Sequence, residues 1–415
     1  MTDNALSIGA PSEIRQHWCA VAACFLTAVF AWGFEFYGQS VYLSELHRLR
    51  GWSSFLIGSA ATTFYLSGAL LVTRVHLAID RFGPRTVLIG GSILLGLGAF
   101  LLCGSSALWQ LYGAALVMAC GWVCTTMAAI STVLAFWFDR QRGLAISLAL
   151  NGASAGGFLV TPVLAALCQR HGLAAAVAET ALASAALLVP LVMLGMDRYS
   201  PRRSAPAAPE MRKDSRPAYE RSSEALRDWH LWSVALPFAL VLVAQVGFLV
   251  QLVALLRPQL GASGAASAVA AAAIAAMLGR IGLSFIVDRL DQRRVNALSF
   301  ASQALGLTAI RGFPARPELL YAGCCLFGLS VGNVITLPSL IIQREFAARS
   351  FGLVVGLSAG IGQVTFAFGP ALLGFIRDLA GDYALALILC MALELVAAAI
   401  IISYRSASAK PPPIF

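Results

Sequence analysis

Charge is scarce in this chain. Acidic and basic residues fill only 12% of its 415 positions, against about 25% in a soluble domain. Lysine is nearly absent: Lys213 and Lys410 are the only two among 29 basic residues. The formal charge of +9 does not point to nucleic acid, because the arginines gather in short polar breaks rather than on one amphipathic face. Zinc-finger and RNP-like signatures are missing as well. Nine cysteines occur without a CxxC pair. Cys120 and Cys124 are one helical turn apart, but no His or further Cys stands at ligand spacing. They read as small buried apolar side chains, and no metal is expected. A phosphate-binding loop, a dinucleotide fingerprint, a nucleophile elbow and an HExxH pair are all lacking. None of the five histidines (His17, His47, His76, His171, His230) stands near a carboxylate at catalytic spacing. Neither an enzyme nor a resident cofactor is expected, and ATP-driven work would require a partner chain.

What fills the chain instead is apolar residues, 59% of the total. Lipid must solvate much of such a surface, and in lipid a chain satisfies its backbone as helices or a closed barrel. A crossing helix needs roughly 20 mostly apolar residues. Twelve such runs are read near 18–41, 54–76, 85–105, 108–136, 143–167, 173–196, 230–256, 264–287, 294–312, 317–342, 350–376 and 382–404. An all-α membrane protein follows. The first run has no basic leader or small-residue cleavage site, so it is expected to stay as a membrane helix. With a cytoplasmic N-terminus, 21 basic residues fall on the cytoplasmic side and seven on the other. Both termini are therefore expected in the cytoplasm. The one long polar stretch is read as a flexible cytoplasmic linker over 197–229. It separates a tail over 1–17 and a six-helix half over 18–196 from a second half over 230–404 and a tail over 405–415.

The halves repeat. DRFGPR at Asp80 to Arg85 returns as DRLDQR at Asp288 to Arg293, with Asp, first Arg and last Arg each displaced by 208 positions. Gly143 and Gly352 open apolar segments that reach Pro162 and Pro370, with displacements of 209 and 208. A duplicated membrane chain points to a transporter that alternates about the boundary between its repeats.

Twelve spans, a central linker and a parallel repeat resemble the major facilitator superfamily. Asp80, Arg81, Gly83 and Arg85 match that superfamily's loop motif between its second and third helices, with His76 in place of the leading Gly. Asp288, Arg289 and Arg293 match in the second half, with Asp291 in place of Gly. The resemblance implies a cytoplasmic latch between halves, with the Asp capping a neighbouring helix and the arginines bridging. Plain positive-inside topology would leave the same residues. The segments Trp137 to Pro162, Phe368 to Tyr383 and Tyr37 to Leu43 with Gly51 and Trp52 look like the oxalate/formate antiporter and monocarboxylate porter branch. That branch places an anion-binding Arg on helix 8, and Gly279–Arg280 matches its pattern. Gln39 replaces the branch's helix-1 Lys, Ala276 replaces its helix-8 Asp, and 350–376 contains no Lys. One central cation remains, which argues for a singly charged cargo.

Charges inside spans are costly and mark function by default. Four stand out away from the span ends: Glu35, Glu179, Arg280 and Glu394. Arg280 lies eight residues before Asp288, about 12 Å inward at 1.5 Å per residue. Its guanidinium is the candidate anion ligand; a structural ion pair or snorkelling to the surface is the alternative. Glu35 is the candidate for proton coupling, and a carboxyl bonded to a nearby hydroxyl is its plain alternative. Structural hydrogen bonding is expected of Glu179 and Glu394. Tyr37, Gln39, Tyr65, Asn151, Gln245, Asn333 and Gln363 complete the candidate substrate-binding set, although each of the mid-span polar residues serves equally to join helices. Gly152–Gly157 and Gly356–Gly362 are expected at close helix crossings. The expected protein is a monomeric bacterial inner-membrane transporter of a small organic anion, with protons and lipid as its other partners. Export of drug-like or amphiphilic compounds, with Arg280 structural, is the alternative; a sensor would need a signalling domain that these polar segments are too short to form.

Overall fold

The structure is a computed structural model and describes residues 13–138, 141–196, 219, 221–284, 290–347 and 350–404. Helix is the only regular structure in those residues, as lipid demands of an open chain. The first set begins with the turn α1 (Glu13–Gln16) and α2 (Trp18–Ala31). A π-helical segment, Trp32–Tyr37, then leads into α3 (Gly38–Arg50). The stretch Trp18–Arg50 is thus a single span of 33 residues. The Ser53 hydroxyl caps α4 (Ser54–Val72) by accepting from the Leu56 N–H at 3.2 Å. After α5 (Val75–Phe82), Gly83 turns the chain at φ 80° and Pro84 opens α6 (Pro84–Gly104). Only glycine takes that φ readily, and proline suits the first helical turn. The set ends with α7 (Leu108–Val123), α8 (Met127–Leu134), α9 (Arg142–His171) and α10 (Leu173–Gly195).

The second set holds α11 (Ser222–Arg227), α12 (Trp229–Ser284), α13 (Gln292–Gly312), α14 (Pro317–Glu345), α15 (Phe351–Ala367), α16 (Gly369–Ala380) and α17 (Ala384–Ser403). Gly261, at φ 70°, breaks α12. Within the described residues every one of the twelve expected stretches is helical. Nine helices there are long and apolar enough to cross a membrane, or ten if the bent pair Pro317–Val334 and Leu337–Glu345 makes one span. The difference from twelve has three physical sources. The runs expected at 230–256 and 264–287 share α12, α13 is diluted by Arg293, Arg294 and Arg311, and the bend in α14 divides the run expected at 317–342.

The duplication is visible in the packing. Arg85 donates through Nη2 to the Met193 carbonyl, and Arg293 donates through Nη1 to the Ile401 carbonyl at 3.3 Å. Both members of that contact are displaced by 208 positions. A side chain on Gly156 would strike the Val29 carbonyl and the Gly33 nitrogen; one on Gly369 would strike their counterparts at Val243 and Gly247. The first glycine cluster therefore sits at a crossing, with Gly152 and Gly157 equally close to neighbours. The second cluster departs from expectation: Gly356 and Gly360 face open space, and Gly362 meets only the end of the Leu242 side chain.

Candidate functional site

Close packing between α12 and α14 sets the site. Gly328 and Gly332 on α14 lie against the Ala272 and Ala276 carbonyls, and Gly279 on α12 lies against the Leu329 carbonyl. The small residues let the two backbones touch. Arg280 emerges beside this crossing, and its half-buried guanidinium lies between the two sets. Nε is 3.4 Å from the Gly332 carbonyl of the second set, and Nη1 is 3.4 Å from the Leu150 carbonyl of the first. Both bonds are long. A guanidinium has five N–H donors, so three find no acceptor among the described residues, and no carboxylate pairs with it there.

Glu35 lies in the π-helical segment, which widens the backbone and often marks a functional position. It is fully buried, and neither carboxylate oxygen makes a hydrogen bond of good geometry among the described residues, the Gln39 side chain being its only candidate donor there. Gln39, one turn on, leaves its amide nitrogen unpaired, and the Tyr42 and Tyr65 hydroxyls are unpaired in the same packed interior. Aromatic rings continue from there: Trp32–Trp122 at 4.9 Å, Phe64–Tyr65 at 4.8 Å, and Tyr65 to Phe366 of the second set at 5.2 Å. Tyr37 is buried beside Gly157 and Ala273, where α9 meets α12. Asn151 and Gln363 are half-buried. Asn333 donates to the Leu329 carbonyl at 3.2 Å, and Gln245 is buried with its amide unpaired.

The two sets meet firmly at the end that carries the connections before Ser54, around Gly261 and after Ala380; this is the far end. Arg257 of α12 bonds Glu45 Oε1 at 2.5 Å and the Ser44 hydroxyl at 3.0 Å. Asp378 of α16 accepts from the Ser54 and Phe55 N–H groups at 3.2 and 2.7 Å. It thereby caps α4 from the other set, where the helix N-terminus favours an anion. Arg377 reaches His47 at 3.3 Å, and Gln169 donates to the Ser263 hydroxyl at 2.9 Å. The backbones touch at Gly58 with Pro370 and at Gly374 with Ser54.

The expected latch residues lie elsewhere. Asp80 and Arg81 are exposed, with Arg81 over the Phe82 ring, and Arg85 bonds within its own set. Asp288 and Arg289 are outside the described residues. Arg293 turns inward to Glu345 of α14 through two bonds of 2.7 Å. His230 stands 3.3 Å from the same carboxylate and bonds the Tyr404 hydroxyl at 2.7 Å. Asp228 ties this group to Tyr219, which bonds Ser350 at 2.6 Å. Burial raises the Asp228 carboxyl, but the Tyr219 hydroxyl and the His230 N–H outweigh it and hold it below the ordinary range.

Other expectations divide. Glu179 is bonded as expected, to His171 at 2.8 Å. Glu394 is not: it is fully buried and both oxygens are unpaired. All nine cysteines are free, and Cys120, expected in the interior, is exposed on α7.

The Major Facilitator Superfamily model matches residues 23–370. The uncharacterized MFS-type transporter YcxA of Bacillus subtilis is 24% identical over 91% of this chain and 92% of its own length. Monocarboxylate transporter 11 of Mus musculus is 30% identical over 75% of this chain and 70% of its own. The MFS-type transporter pynF of Aspergillus niger is 26% identical over 81% and 75%.

Proposed function

The chain belongs to the major facilitator superfamily, and we propose that it carries a small organic anion with one carboxylate across a bacterial inner membrane. It is a multi-pass transporter rather than an enzyme. Residues 18–196 and 230–404 are the halves that rock about Arg280, with 197–229 linking them on the cytoplasmic side. The positive-inside balance puts the far end outside, so this conformation is sealed to the exterior. A monocarboxylate transporter among the relatives supports the cargo class.

One observation carries this reading: a permanently charged guanidinium lies at the boundary of the two sets with three donors unclaimed among the described residues. A bidentate carboxylate satisfies two of them. Because Arg280 already touches both sets, bound cargo acts on both at once. In this reading Tyr37, Asn151, Asn333, Gln363, Gln39, Tyr65 and Gln245 supply the polar surroundings of the bound anion. The test is uptake by proteoliposomes of a panel of labelled carboxylates. Arg280→Gln is expected to weaken uptake of the preferred anion by about 10- to 100-fold, the worth of a charged hydrogen bond. Unchanged affinity in that variant overturns the assignment.

Glu35 is the proton carrier in this reading. An unpaired buried carboxylate is costly, and a bound proton removes the cost. No bond joins Glu35 to Arg280, so the two are loaded separately. Glu35→Gln is expected to bring uptake under an imposed pH gradient down to the rate without a gradient, while anion exchange continues. Uptake by that variant that still follows the gradient places coupling elsewhere.

A further inference from the structure

The geometry points to a proton-sensitive catch in the far-end seal, with His47 as its sensor. His47 stands in the last turn of α3, and its Nδ1 is 2.7 Å from the Trp52 carbonyl. A carbonyl oxygen only accepts, so Nδ1 carries a hydrogen. In the neutral ring Nε2 is then a lone pair. It faces Arg377 Nη2 at 3.3 Å, and a guanidinium nitrogen only donates. The bond between the two sets therefore requires the neutral ring. A second proton turns Nε2 into a donor and sets imidazolium against guanidinium, replacing an attraction by a repulsion.

The surrounding charges do not relieve that repulsion. On its own helix, Glu45 is held by Arg48 at 2.7 Å and by Arg257 of α12 at 2.5 Å, while Arg50 is exposed. On α16, Asp378 is engaged by Arg377 at 3.0 Å and by two N–H groups of α4. Asp382, beyond α16, accepts from the Ala384 N–H at 2.9 Å. Glu45 and Asp378 are thus already claimed, and the charged groups on these elements are four arginines (Arg48, Arg50, Arg257, Arg377) against three acids (Glu45, Asp378, Asp382). Carboxylates and guanidinia ordinarily change charge outside the range in which a histidine does, about pH 5 to 8. Acid at the far end thus acts on one bond and favours separation of the sets there. This step does not depend on the anion reading. Only its consequence does: with the far end outside, an acid exterior opens the Arg280 site toward the side that supplies protons.

Hydrogen–deuterium exchange of the whole protein in lipid nanodiscs tests the catch without any cargo. Segments 49–60 and 376–386 are followed at about pH 7.5 and about pH 5.5, either side of the imidazole range, after correction for the intrinsic effect of pH on exchange. The wild type is expected to open about tenfold more in acid, the scale of one charged hydrogen bond. His47→Gln keeps an acceptor for Arg377 but cannot titrate, and is expected to exchange alike at both pH values. His47→Arg fixes the charge and is expected to be open at both. A flat wild type, a His47→Gln that follows the wild type, or a closed His47→Arg overturns the proposal. None of these outcomes bears on anion affinity, so the two readings fail separately.

Discussion

Arg293→Ala is expected to be among the most damaging single changes in this protein, lowering stability by about 3–5 kcal/mol. Arg293 is nearly buried at the start of α13 and grips Glu345 in a planar, two-bond pair. The same guanidinium donates to the Ser233 hydroxyl at 2.9 Å and to the Ile401 carbonyl, and it stacks over the Tyr404 ring at 5.0 Å. One side chain thus ties α12, α13, α14 and α17 together. Truncation leaves the Glu345 carboxylate in a half-dry site with only His230 close by, at 3.3 Å and poorly aligned. An uncompensated buried charge costs more than the pair contributed. Arg294 next door is the control. It is mostly exposed, and its contact with Asp291 is 3.5 Å, so Arg294→Ala is expected to cost less than about 1 kcal/mol. Thermal unfolding of both variants in detergent checks the contrast. Equal melting temperatures would show that the Glu345 pair does not hold the second set together.

Arg293 also shows where sequence reading reaches its limit. Its register within a repeated motif was legible, because a displacement of 208 positions is visible in the letters alone. Its partner was not, since Glu345 lies 52 positions away among ordinary span-end charges. The motif suggested a bridge between halves; the structure uses the residue inside one of them. The far-end seal was hidden for the same reason. His47 and Arg377 are 330 positions apart, and Ser54 and Asp378 are 324 apart. Each looks like a loop charge until the fold joins them. Arg280 and Glu35 stood out for the opposite reason, because a charge in an apolar run needs no partner to be noticed. Helices were legible throughout, since a lipid-facing run declares itself by length and hydropathy. Span counting blurred where arginines crowd α13, where a single glycine breaks α12 and where α14 bends.

If Arg280 holds the anion as proposed, Gly279→Ala is expected to damage that binding nearly as much as loss of the arginine beside it. The added methyl would collide with the Leu329 carbonyl, its oxygen first and its carbon next. Those are backbone atoms, so no rotamer change relieves the contact and α12 must move off α14. Overpacking of this kind costs about 1–3 kcal/mol or more. The displacement carries Arg280 with it, because the guanidinium rests 3.4 Å from the Gly332 carbonyl on the facing helix. Gly332 is itself pressed against the Ala276 carbonyl and against Nε of Arg280, so the crossing and the charge are one arrangement. Lower stability and weaker equilibrium binding of the anion should therefore appear together in Gly279→Ala, with the arginine intact. Gly360→Ala adds the same methyl where nothing lies within 4 Å, and it is expected to leave both unchanged. A Gly279→Ala protein that folds as well as wild type and binds the anion as tightly would mean that this crossing does not aim the guanidinium. The small residues would then serve helix packing alone, and the direction of Arg280 would have to come from the first set, through the Leu150 carbonyl.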